Sequence, residues 1–135
     1  MAYMIERIEG VGKVYGGRLR AAGVKDTEAL LAQCGTPKDR AALAAATGIS
    51  AARLLKFANR ADLMRVKGVG EEYADLLEAA GVDTVPELAQ RKAGNLHAAL
   101  EAVNARKKLV RQAPSAKAVG EWIAAAKAMP RRLHY

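Results

Sequence analysis

The sequence predicts an all-α fold made of two related helical units joined into one compact body. Three observations carry that prediction. Ala, Leu, Glu, Lys and Arg, all strong helix formers, dominate the 135 residues, with no sustained period-2 alternation and little β-branched or aromatic clustering. Capping residues and glycines punctuate the chain at short intervals. The stretch Arg7–Leu30 recurs as Arg65–Leu88 at an offset of 58, with 11 of 24 positions identical and no gap.

The elements follow in order. A first helix over 3–8 leads into Gly10-Val11-Gly12, and a second over 12–22 stops at Gly23, a residue that takes the left-handed cap freely. A third covers 27–34. Thr36-Pro37 supplies an N-cap and a proline at the first helical position for 37–47, and Ser50 caps 50–60. The repeat then restarts with 62–66 and 70–80, ending at Gly81. Thr84-Val85-Pro86-Glu87 reads as a capping box opening 85–91, with Glu87 reaching back to the N-cap amide. Helices over 95–110 and, from Ser115, 115–128 complete the set. Ser50-Ala51, Leu54 and Phe57 match Ser115-Ala116, Val119 and Trp122 at an offset of 65, which implies an insertion near Arg91-Lys92-Ala93-Gly94. The boundary between units falls at 61/62, giving units 1–61 and 62–135, the second ending in a basic segment.

A chain of this length buries about 68% of its unfolded surface, enough for a core. With only six aromatic residues, that core is built from Ala, Leu and Val, anchored by Tyr15, Phe57, Tyr73 and Trp122, which recur at matching positions. Cys34 is the only cysteine, so no intramolecular disulfide or cysteine cage is expected, and it reads as a small hydrophobe. His97 and His134 stand apart, without a ligand cluster. There is no phosphate-binding Walker loop, nucleophile elbow or dinucleotide fingerprint, so an enzyme is not expected. No apolar run reaches the length of a membrane span, and the N-terminus lacks signal-peptide architecture; the expectation is a cytoplasmic protein with no membrane partner and no small-molecule substrate.

Charge points to the partner. The chain carries 22 Lys and Arg against 14 Asp and Glu, net +8, distributed as basic, acidic, basic over residues 1–64, 65–105 and 106–135. Such a balance favours an acidic partner. In Gly10-Val11-Gly12 and Gly68-Val69-Gly70 the glycines allow positive φ and close backbone approach. A helix starts at once, so its first amides and the positive end of its dipole form an anion site. Four residues on, Gly16 and Ala74 mark a close helix crossing, with Leu19 and Leu77 pointing to the core.

Apolar-Gly-apolar-Gly, three residues, a small residue, two residues and Leu is the pattern of SAM-like, helix-hairpin-helix modules. The stretches Arg7–Val24 and Ala61–Tyr73 resemble the tandem helix-hairpin-helix domain of unknown function DUF4332, a likeness that covers most of the chain and is strongest over 5–90. The resemblance implies sequence-independent binding of double-stranded DNA through hairpin amides laid on phosphates, in some cases with a monovalent cation held by the loop. The same module also serves pure protein–protein contacts.

The two copies differ in charge. Helix 12–22 carries Lys13, Arg18 and Arg20 and no acid; helix 70–80 carries Glu71, Glu72, Asp75 and Glu78 and no base. The first hairpin is therefore the expected DNA site, with Gly10, Val11, Gly12 and Lys13 on the phosphates and Arg18 and Arg20 adding charge. Arg53, Lys56 and Arg60 form one stripe at i, i+3 and i+7, and Arg106, Lys107, Lys108 and Arg111 form a second cluster that extends the footprint. The second hairpin, Gly68, Val69, Gly70, Glu71 and Glu72, is expected to be structural or to dock a basic protein surface, a second copy of the chain included. No other cofactor is expected.

Overall fold

The computed structural model describes residues 2–135. A 3-10 turn over Ile5–Arg7 precedes eight helices: α1 Gly12–Ala21, α2 Thr27–Gln33, α3 Pro37–Thr47, α4 Ala51–Leu63, α5 Glu71–Ala79, α6 Val85–Ala89, α7 Ala93–Lys107 and α8 Ala116–Ala128. Among the described residues, extended pairing is limited to one antiparallel bridge, Met4 to Asp26, and no single helix is long and apolar enough to cross a membrane.

Local chemistry sets the helix ends. Asp26, Thr36, Ser50, Thr84 and Ser115 each accept a backbone N–H three residues on, from Ala29, Asp39, Arg53, Glu87 and Ala118. The box at Thr84 differs from the expected one: the Glu87 carboxylate accepts the Thr84 hydroxyl at 3.1 Å. α1 and α5 close with the same double bond. Val24 and Val82 donate to Leu19 and Leu77, and Gly23 and Gly81 donate to Arg20 and Glu78, with both glycines near φ +90°.

Within each unit the last helix is the hub: α4 packs on α2 and α3, and α8 on α6 and α7. One apolar core runs through both units, with Leu19, Leu54 and Phe57 in the first matched by Leu77, Val119 and Trp122 in the second. Tyr15 lies 6.0 Å from Phe57 and Tyr73 lies 5.2 Å from Trp122, tilted alike at 58° and 53°. Cys34 is fully buried, and loss of solvent pushes its thiol up to about 12.

Three expectations are corrected. The 3–8 helix is a single 3-10 turn, because Tyr3 and Met4 are extended against the start of α2: Tyr3 donates to Thr27 Oγ1 at 3.0 Å and accepts the Thr27 amide at 2.9 Å. No separate 62–66 helix forms, since α4 runs on to Leu63, and Leu63 and Val66 fill the places of Ile5 and Ile8. The insertion lies later than 91–94: α7 has 15 residues where α3 has 11, and the loop 108–115 replaces the loop 48–50.

The unit junction uses a buried acid. Asp62, 1% exposed, takes the Val85 amide on Oδ2 at 2.9 Å, the place that the Tyr3 carbonyl fills for the Thr27 amide in the first unit. Its Oδ1 receives both Nε and Nη2 of Arg65 at 2.9 and 2.7 Å. The segment after α8 returns to the first unit. Leu133 is buried, His134 donates to the Gly35 carbonyl, Arg40 donates to the carbonyls of Cys34 and His134, and Arg132 pairs with Glu28 at 2.9 Å.

Candidate nucleic-acid interface

The first bend is built by its glycines. Gly10 and Gly12 sit at φ +90° and +61°, and the Val11 amide closes the turn on the Ile8 carbonyl at 3.2 Å. A Cβ on Gly10 would come within 3.5 Å of Phe57, whereas one on Gly12 would meet nothing, so the second glycine is there for its backbone angle. The Val11 side chain is 1% exposed and belongs to the core, and its amide is spent on Ile8, which removes Val11 from the candidate phosphate contacts. No side chain caps α1 and no acid stands in its first turn, so the positive helix end is open beside the exposed Lys13 and Val14.

Arg53 joins this bend from α4. Its guanidinium lies 5.1 Å from the centre of the Tyr15 ring, two residues along α1 from Lys13, and Tyr15 in turn rests on Phe57. Tyr15 is thus half-buried core and also the platform that holds Arg53 at the bend, a role that sequence reasoning missed. The other cations of the first unit disperse. The Arg18 guanidinium reaches the C-terminal end of α3, 3.8 Å from where a Gly48 Cβ would stand. Arg20 is held bidentate by Glu6 at 2.7 Å on both oxygens, which brings the Glu6 carboxyl down to about 2. That carboxylate lies 2.8 Å from where a Gly16 Cβ would be, so the glycine makes room for Glu6 and not for a helix crossing.

The stripe on α4 divides. Arg53 lies over Tyr15 of α1. Lys56 lies beside Glu78 and Asp83 of the second unit. Arg60 is 8% exposed and corrects its reading as a surface contact: it pairs with Asp75 and, through Nε at 2.7 Å, with Glu78. The Arg60 guanidinium holds the Glu78 carboxyl below the usual carboxylate range.

The second bend differs from the first. Gly68 keeps φ +92°, but Gly70 is extended at φ −95° and is itself the N-cap of α5, again without a side-chain cap. Val69 is fully buried. Glu71 meets Arg7 at 3.2 Å, Asp75 and Glu78 meet Arg60, and Glu72 is exposed. The cluster Arg106, Lys107, Lys108 and Arg111 is exposed and belongs to this neighbourhood. Lys108 ends α7 at φ +51°, Asn104 grips Val110 through both amide atoms at 3.0 and 3.2 Å, and Tyr73 donates to the Gln112 carbonyl at 3.2 Å.

Fold and site together define an all-α protein with a duplicated glycine-bend unit and one cationic, uncapped bend. The chain belongs to the family "Domain of unknown function (DUF4332)", whose profile matches residues 9–129. No curated protein and no solved structure matches the chain.

Proposed function

We propose that the protein is a non-enzymatic helix-hairpin-helix protein that binds double-stranded DNA without sequence preference, through the first bend. The observation that carries this reading is the open N-terminus of α1, flanked by the free ammonium of Lys13 and by Arg53 held on Tyr15. Backbone amides of Gly12 and Lys13 would donate to a phosphate, and the two cations would take its neighbours along the strand. Such contacts read charge and spacing and not base edges, which is why the binding is independent of sequence.

The adaptor reading, in which the acidic second hairpin docks a basic surface, is less well supported. Asp75, Glu78 and Glu71 are engaged by Arg60 and Arg7 within the chain, which leaves Glu72 to attract a partner.

The test is a duplex titration followed by fluorescence anisotropy at two salt concentrations. Micromolar binding is expected at low salt, with log affinity falling against log salt at a slope of about −2 to −4 for two to four neutralised phosphates. Lys13→Glu is expected to weaken binding at least about tenfold, since it removes one contact and adds repulsion. Lys38→Glu changes net charge equally at the opposite end of α3 from Gly48 and is expected to stay within about threefold. Absence of binding at low salt, or equal losses in the two variants, defeats the proposal.

A further inference from the structure

The second unit leaves open a space that the first unit fills. Ser50 and Ser115 align the two hub helices, so Ala118 stands where Arg53 stands, Glu121 where Lys56 stands, and Trp122 where Phe57 stands. In the first unit the Arg53 guanidinium covers the Tyr15 ring. In the second the arginine is an alanine, and the long loop 108–115 replaces the short loop 48–50. The result is an open groove of about 640 Å³, lined among others by Lys67, Gly68, Tyr73, Lys117, Ala118 and Trp122. That size is in the range of small-molecule sites.

The groove is rich in donors. Lys67 and Lys117 bring two cations against one exposed acid, Glu121. The 13-residue helix α8 begins in its wall at Ser115, with no acid in its first turn. Trp122 adds an independent sign. The residue is 4% exposed as a whole, and its indole N–H makes no hydrogen bond to the protein among the described residues. Its Nε1 stands against Gly68, 3.0 Å from where a Cβ would be, on the lining of the groove. The donor is not sealed from solvent, so it is available to an acceptor that enters the groove.

We propose that this groove binds a nucleoside phosphate. The phosphoryl oxygens meet Lys67, Lys117 and the first amides of α8. The planar base lies on Tyr73 in the place that the Arg53 guanidinium takes on Tyr15, and the Trp122 N–H donates to a ligand oxygen or nitrogen. The same chemistry is offered by a free nucleotide and by the phosphorylated end of a nucleic-acid strand.

Trp122 is the only tryptophan, so its fluorescence reports the groove directly. The full chain is titrated with adenosine monophosphate, with inorganic phosphate, and with a short single strand carrying or lacking a 5′-phosphate. A saturable change with the nucleotide is expected, with inorganic phosphate at least about tenfold weaker because it lacks the stacking base. Lys117→Glu is expected to weaken the response at least about tenfold. Ala118→Arg, which recreates the arrangement of the first unit, is expected to abolish it with the helical circular dichroism retained. Lys13→Glu leaves the response within about twofold while it impairs duplex binding, so failure here and failure at the first bend are told apart. A response to the phosphorylated strand without one to the free nucleotide assigns the ligand to strand ends. The proposal is overturned by no saturable response to either, by an equal response to inorganic phosphate, or by a full response in Ala118→Arg.

Discussion

Asp62→Ala is expected to lose about 3–5 kcal/mol of stability, the cost of removing one member of a buried ion pair. The carboxylate is 1% exposed and serves three donors: Nε and Nη2 of Arg65 on one oxygen and the Val85 amide on the other. Alanine leaves the amide that opens α6 without an acceptor and the Arg65 guanidinium without its counter-charge; Arg65 keeps only the Pro130 carbonyl at 3.1 Å. Because Val85 and Leu88 anchor α6 in the core, the loss spreads to the packing of α6 on α8. Asp62→Asn retains an acceptor for Val85 and is expected to lose about half as much. Urea denaturation of the three proteins measures both values. A change under about 0.5 kcal/mol in Asp62→Ala would mean that the junction does not depend on this acid.

Asp62 also shows where sequence reading stops. The helix ends were legible because caps are local: Thr36, Ser50, Thr84 and Ser115 act on amides three residues away, and Gly23 and Gly81 act on the helix they end. The aromatic anchors were legible because the repeat matches Tyr15 with Tyr73 and Phe57 with Trp122; the contacts of Tyr15 with Phe57 and of Tyr73 with Trp122 come from the fold. The state of each charge was not legible, because it depends on partners brought together by the fold. Arg20 finds Glu6 fourteen residues back, Arg60 finds Glu78 eighteen residues on, and Arg7 crosses to Glu71 of the other unit. One signal was available for Arg60 and Asp62: they flank Ala61 on the helix that buries Leu54, Phe57 and Ala58, so they lie at the edge of its apolar face. A stripe counted only by i, i+3 and i+7 spacing ignores that edge. The position of the insertion was likewise not legible, because α7 runs through 15 residues in unbroken helical register, which leaves no break to read.

Arg60→Met separates the structural cations from the binding ones. Methionine keeps the apolar stem and removes the charge, leaving Asp75 and Glu78 without their shared partner. With one partner a tenth exposed and the others a quarter to a third exposed, the expected loss at neutral pH is about 2–3 kcal/mol, below that of a fully buried pair. Its pH dependence follows from Glu78, whose folded pKa lies below the ordinary 4.5 chiefly because it accepts a hydrogen bond from Arg60. A depressed carboxylate contributes stability that is fully present above its unfolded pKa and is lost as pH falls through the folded one. The gap between the original protein and Arg60→Met is therefore largest near neutrality and narrows below about pH 4.5, as Glu78 takes up a proton. Adding Asp75→Asn and Glu78→Gln to Arg60→Met removes the orphaned charges and is expected to recover about half of the loss. Duplex affinity, measured where all proteins are folded, is expected to stay within about twofold for Arg60→Met. Under the proposed binding at the first bend it should fall about fivefold or more for Arg53→Ala, whose stability changes little because Arg53 rests on Tyr15 without an ion pair among the described residues. A large affinity loss in Arg60→Met, with Arg53→Ala unaffected, would reverse the assignment and move the DNA-facing side of α4 toward the second unit.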